Sequence, residues 1–204
     1  MKIDIDQFIS GFSLKFQDLA LLQPWEITDR LKNWLEEIIS ELDDNFIVAD
    51  NVAVHRTARI ESSAVINKPA IIGPNCTVCA NAYLREGVYL DQKVKIGPGC
   101  EIKTSIICAE TAIAHFNYIG NSIIGSQVNF EAGSIAANHY NERNSKEISV
   151  LFQSSIIKTN ALKFGSLVGD GSKIGANAVL SPGTLLSSGS IVGRLQLVEQ
   201  ISEE

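Results

Sequence analysis

Beginning at Val54, an aliphatic residue or a cysteine recurs at every sixth position: Val54, Ile60, Ile66, Ile72, Val78, Leu84, Leu90, Ile96, Ile102 and Cys108. Four places after each stands a small or aliphatic side chain: Ala58, Ala64, Ala70, Cys76, Ala82, Val88, Val94, Cys100, Ile106 and Ala112. The spacing returns at Ile124 and Phe130, then at Leu162, Val168, Ile174, Leu180, Leu186 and Val192, with Ser166, Ser172, Ala178, Thr184 and Ser190 in the small position. Residues six apart fall on different faces of an α-helix, and an ordinary strand alternates with a period of two. Neither sustains a period of six. A short strand and a turn per hexapeptide do, if three such sides close a triangular coil with the aliphatic residue inward and the small one near the corner. Gly73-Pro74-Asn75, Gly97-Pro98-Gly99 and Ser181-Pro182-Gly183 supply bends. Coils then stack by parallel strand pairing at about 4.8 Å. The expected fold is an all-β solenoid, a parallel β-helix of hexapeptide repeats over residues 47–193, with Ile60, Val78 and Ile96 in one internal column because they are eighteen apart.

Three segments lie outside the repeat. Residues 1–46 form a small N-terminal α-helical region, since Ile27, Leu31, Trp34, Leu35, Ile38, Ile39 and Leu42 follow helical spacing over 26–42 with charged residues between them. Its apolar face is expected to cap the first coil or to support oligomerisation. An excursion loop at 139–161 has a polar first half followed by the strand-like stretch Ile148 to Ile157, and residues 194–204 are a C-terminal tail. A chain of 204 residues that is 45% hydrophobic and 20% charged has ample material for a core.

A net charge of −6 argues against a nucleic-acid or anionic-membrane surface, so an anionic ligand must find a local cationic pocket. The start MKIDIDQFIS carries charge and lacks an apolar stretch of signal-peptide length, which leads to the expectation of a cytoplasmic protein. Cys76-x-x-Cys79 has no second CxxC or histidine pair to complete a tetrahedral zinc set, so no metal site is expected. Cys76, Cys100 and Cys108 instead fall in the repeat frame as core-sized residues.

After Cys108 the expected inward positions are Ile113, Ile119 and Ile124, a spacing of five, six, five that places a register slip around Ala114-His115-Phe116-Asn117-Tyr118. Polar groups follow at Asn129, Glu131-Ala132-Gly133-Ser134 and Asn138. The set His115-x-x-Tyr118-x-Gly120, Val128-Asn129 and Ala132-Gly133-Ser134-Ile135-x-x-Asn138 resembles the acetyltransferase half of the bifunctional glucosamine-1-phosphate acetyltransferase/N-acetylglucosamine-1-phosphate uridyltransferase family. It is also similar to the stand-alone proteins called UDP-N-acetylglucosamine pyrophosphorylase-related, and the resemblance runs from about Ile72 to Val192.

That resemblance implies a left-handed β-helix, a homotrimer with sites between subunits, acetyl-CoA as acyl donor and an amino-sugar phosphate as acceptor. It makes His115 the general base, a step suited to neutral imidazole. Ala82-x-Leu84-Arg85-x-Gly87 and Glu101-x-Lys103 match substrate-binding segments, so Arg85, Glu101 and Lys103 join Tyr118, Asn129, Asn138 and Lys146 on the substrate side. Ala132, Ala176 and Arg194 are implied beside the cofactor.

The chain also departs from the pattern. Tyr83 and Glu86 stand where the family has a second arginine and a proline, which lowers the charge of the pocket and with it phosphate affinity. A family loop lysine falls on Asn144, with Arg143 or Lys146 the nearest cations, and a serine that contacts coenzyme A aligns, ungapped from Ala176, with Lys158. The chain stops twelve residues after Val192, where the enzymes usually continue beside the cofactor. These differences favour the alternative of a non-catalytic trimeric relative binding a metabolite or a partner protein. Metal-dependent hydration on the same fold would need converging histidines, and His55, His115 and His139 show no such spacing. Uridyl transfer is expected to be absent, because residues 1–50 hold no α/β domain with a glycine-rich phosphate loop.

Overall fold

A computed structural model describes residues 2–201, and from Val52 onward the chain winds as a left-handed parallel β-helix with three faces. The first face stacks Val52–His55, Ala70–Ile72, the second halves of Tyr83–Leu90 and Glu101–Ile107, then Ile123–Ile124, Ser166–Val168 and Thr184–Leu186. The second stacks Arg59–Ile60, Thr77–Val78, Lys95–Ile96, Ala112–Ile113, Asn129–Phe130, Lys173–Ile174 and Ile191–Val192. The third stacks Val65–Ile66, the first halves of the two long strands, Tyr118–Gly120, Ile135–Ala136, Val179–Leu180 and Leu197–Val198. Ile60 pairs with Val78 and Val78 with Ile96, the expected eighteen-residue column, and the last two are fully buried. Pairing of Leu197–Val198 on Val179–Leu180 carries the solenoid past residue 193, so the segment expected to be a tail contains a strand.

The register slip differs from the expectation. Ile107, not Cys108, pairs with Leu90 and then with Ile124, whereas Ile113 to Ile119 keeps the ordinary spacing of six. The short step from Ile119 to Ile124 is as expected, and the other missing residue lies between Ile102 and Ile107 instead of between Cys108 and Ile113. Both shortened corners turn through a left-handed residue, Thr104 at φ 46 and Asn121 at φ 45. Each makes with one left-handed residue the turn between the third and first faces that Glu86-Gly87 make with two, and Asn tolerates that region better than most residues. Cys108 therefore leaves the interior and is buried outside the triangle, against the N-terminal region. Leu162 is likewise not an interior residue and is 63% exposed. From Ile124, Phe130 and Ala136 the pairing jumps to Val168, Ile174 and Leu180, so the excursion is inserted into a single coil. It folds into an antiparallel hairpin of Ile148–Phe152 with Ser155–Ala161.

The N-terminal region contains a short helix α1, Phe12–Lys15, and a longer α2, Pro24–Ile38. Proline in the first turn and a reciprocal Gln23/Glu26 capping box start α2. Its apolar stripe of Ile27, Leu31, Trp34 and Leu35 does not cap the first coil but lies along the first face of the solenoid. The reason is a set of residues just before the inward positions, Ile71, Tyr89, Ile106, Ile123, Leu167 and Leu185, which point outward on this face and are apolar. On the second face the equivalent residues include Arg59, Lys95, Asn129 and Lys173. A parallel sheet apolar on both sides must be covered on both sides. Helix α2 and the hairpin, through Ile148 and Val150, complete that cover. An ion pair of Lys15 with Asp91, and the carboxylate of Asp170 accepting from the Ser10 and Ser126 backbone N–H groups at 2.9 and 2.7 Å, tie the N-terminal segment to the coils.

Candidate active site

The long strand Tyr83–Leu90 bends at Arg85-Glu86-Gly87 to form a corner between the third and first faces. Glu86 and Gly87 have φ of 58° and 96°, and the Thr104 hydroxyl donates to the Glu86 carbonyl at 2.9 Å. A Cβ at Gly87 would stand 3.3 Å from the Lys32 Cα, so the glycine lets α2 seat the corner directly. Parallel register then places Arg85 beside Lys103 and Lys103 beside Gly120, while Tyr83, Glu101, Tyr118 and Ile135 line up one step back on the outward side.

These neighbours form a charged cluster. Arg85 Nε donates to Glu101 Oε1 at 2.7 Å, and Arg85 also pairs with Glu86. Lys103 Nζ lies 3.0 Å from Glu86 Oε2 and is almost wholly buried. The Tyr118 phenol folds over Gly120, where any side chain would collide with it, and hydrogen-bonds Asn138. Burial, and then the Glu101 carboxylate, push the Tyr118 pKa up and keep it a neutral phenol. Asn138 Nδ2 donates to Asn121 Oδ1 at 2.6 Å, and its own Oδ1 is 3.2 Å from His139 Nδ1. Beside the cluster runs an open groove of about 480 Å³ lined by Asn67, Lys68, Tyr83, Arg85, Glu86 and Glu101.

His115 stands elsewhere, exposed at the corner between the second and third faces. Its backbone N–H donates to Asn117 Oδ1 at 2.9 Å, and its carbonyl accepts from Gly133 N–H at 2.8 Å. Asn117 is buried and donates through Nδ2 to the carbonyls of Glu131 and Ser134 at 2.7 and 3.1 Å, so one amide pins two coils of this corner. Ala132, Ala176 and Arg194 lie on the same corner in the following coils. The Glu131 carboxylate accepts from Arg194 Nε at 3.0 Å and from the Ala176 N–H at 2.9 Å, and these partners hold it below the usual carboxylate range. Asn129 faces outward on the second face and shares a cavity of about 260 Å³ with Glu131, Lys173 and Arg194.

One chain thus brings Arg85, Glu101, Lys103, Tyr118 and Asn138 together at one corner. It places His115, Ala132, Ala176, Arg194 and the neighbouring Asn129 at another. Gly120 lies five steps along the coil from His115, at most about 16 Å of extended chain. Lys146 reaches neither group, since its ammonium bonds the Asn141 carbonyl within the excursion, and Lys158 lies on the hairpin opposite Ser149. Sequence reasoning missed Asn117 and Asn121 as organisers of the two corners. The readable signal for Asn121 is an asparagine in the shortened Ile119-to-Ile124 step, where a left-handed residue is required. Among the described residues no three His, Cys, Asp or Glu side chains group to hold a metal ion, and no helix is long and apolar enough to cross a membrane.

The family described as GMPPB C-terminal domain matches residues 48–131. YaiX of Escherichia coli K12, described as an uncharacterized acetyltransferase, is 31% identical over 88% of this chain and 80% of its own length. The chain belongs to the hexapeptide-repeat acyltransferase family. Other members of that family extend further: the bifunctional sugar-1-phosphate nucleotidylyltransferase/acetyltransferase of Sulfurisphaera tokodaii is 31% identical over 84% of this chain and 45% of its own length. The bifunctional protein GlmU of Methanococcus vannielii is 32% identical over 89% and 44%. The chain therefore spans less than half the length of these bifunctional relatives, and its described residues hold the hexapeptide solenoid without a nucleotidyltransferase domain.

Proposed function

We propose that this hexapeptide-repeat protein is an acetyl-CoA-dependent N-acetyltransferase acting on an amino-sugar phosphate or a related amino sugar, assembled as a homotrimer. The observation that carries the reading is the split site: a ligand-sized groove lined by Tyr83, Arg85, Glu86 and Glu101, with Lys103 paired to Glu86 behind it, and an exposed imidazole one triangle side away. A threefold arrangement with parallel solenoid axes would set the His115 corner of one chain against the Arg85 corner of the next, closing the site. The nucleotidylyltransferase/acetyltransferase relative supports a sugar-linked acceptor.

In that site the acceptor nitrogen attacks the thioester carbonyl of acetyl-CoA, the C–N bond forms and the C–S bond breaks. His115 takes the proton from the nitrogen and returns it to the departing thiolate, so free coenzyme A leaves as the thiol. Asn138, held by Asn121, orients the acceptor, and Ala132, Ala176 and Arg194 border the acyl donor. The coupled test is thiol release from acetyl-CoA over a panel of amino sugars and their 1-phosphates. Wild type should turn over at least one, and His115→Ala should lower kcat by about 10²–10⁴-fold with little change in KM. Thiol release that is absent for every acceptor would favour the non-catalytic reading, for which the saturation of Arg85 and Lys103 by carboxylates of the same chain is the specific support.

A further inference from the structure

The cations lining or backing the 480 Å³ groove are all engaged within the chain. Lys68 pairs with Asp50 at 2.5 Å, Arg85 with Glu101 and Glu86, and Lys103 with Glu86 at 3.0 Å. Arg85 and Lys103 against Glu86 and Glu101 sum to no net charge. Glu86 is the unusual member. A glutamate in the left-handed region is uncommon and costs backbone energy, yet its corner is held from two sides by the Thr104 hydroxyl and by Lys32 packed on Gly87. Its side chain is 53% exposed, so the carboxylate reaches over the buried Lys103 from the groove's rim. Burial, which raises its pKa, is outweighed by Lys103 and Arg85, and the group stays ionised at neutral pH. What remains open to a ligand is the Tyr83 ring, with the Arg85 guanidinium 5.9 Å from its centre, the Asn67 amide that donates to the Tyr83 hydroxyl at 3.0 Å, and carboxylate oxygens. An aromatic surface with amide and carboxylate acceptors suits the hydroxyls or the ammonium of a sugar ring.

We infer that Glu86 determines specificity in this groove: its carboxylate occupies the place of a ligand's anionic group between Arg85 and Lys103, so the groove takes a neutral or amine-bearing sugar and rejects phosphate there. This deepens the proposed function, resting on the groove as its acceptor site, but it is tested without turnover.

The test titrates inorganic phosphate into the full chain by calorimetry and 31P line broadening, for wild type, Glu86→Gln and Glu86→Ala. Wild type should show no saturable phosphate binding in the low millimolar range. Glu86→Gln frees Lys103 and leaves Arg85 with Glu101 as its one remaining carboxylate partner, and should bind phosphate about tenfold more tightly or better and raise the preference for glucosamine 1-phosphate over glucosamine. Glu86→Ala removes the carboxylate without the amide and guards against a Gln side chain that takes over the bridge. Saturable phosphate binding by wild type that Arg85→Gln abolishes would overturn the inference. So would natively melting Glu86 variants that both show no gain. Phosphate capture by the variants without acetyl transfer by any form would sink the enzyme reading and leave the role of Glu86 standing.

Discussion

At the residue scale, position in the coil decides what each thiol can do. Cys76 lies inside the triangle, hydrogen-bonded to the Asp91 carbonyl, and burial pushes it up to about 11. Burial likewise raises Cys100 in the interior and Cys108 beneath the N-terminal region. Cys79 is the partly exposed one among the four. Because the thiolate is the reactive species, an aromatic disulfide reagent at neutral pH should modify one thiol per native chain promptly and the other three only on unfolding. A second fast thiol that maps to Cys108 would show that the helical cover lifts from the first face. Cys108 also marks a limit of periodicity: a deletion of one residue between Ile102 and Ile107 shifts it outward, and both Cys108 and Ile107 suit a core, so hydrophobicity alone does not choose between them.

At the scale of elements, α2 was legible and its docking site was not. The spacing of Ile27, Leu31, Trp34 and Leu35 announces one apolar stripe, and all four are buried. The partner surface is encoded as doublets, Ile71-Ile72, Tyr89-Leu90, Ile106-Ile107, Ile123-Ile124, Leu167-Val168 and Leu185-Leu186, that recur once per coil, seventeen or eighteen residues apart except across the excursion. Only stacking aligns them into a surface. Leu31 is fully buried there, so Leu31→Ala should lower unfolding free energy by about 2–5 kcal/mol in urea, against less than about 0.5 kcal/mol for Leu162→Ala on the exposed rim of the hairpin. Equal effects would mean that α2 is not part of the cooperative core.

For the whole molecule, the internal column is the element to break. Ile96 is fully buried between Val78 and Ile113 on the second face, and Ile96→Asp should cost several kcal/mol, seen as a large fall in thermal midpoint or as failure to fold. A near-native midpoint would contradict its burial. Assembly is the complementary test: light scattering at micromolar concentration should give the mass of three chains, and a stable monomer would leave His115 and Arg85 on separate corners with no shared site.

The hexapeptide period by itself determined the triangular coil, most of its interior and the stacking of positions eighteen apart, because a solenoid's contacts repeat locally and need only nearest-coil register. The residues named by the family resemblance fall at two corners, Tyr118 and Asn138 near Arg85 and Ala132 near His115, a grouping that the period does not supply. Only the tertiary structure decided which face the helix covers, where the coil shortens to seventeen residues, and that Glu86 lies across Arg85 and Lys103. Those outcomes depend on backbone handedness at single corners and on side chains brought together from separate coils, which no period in the sequence records.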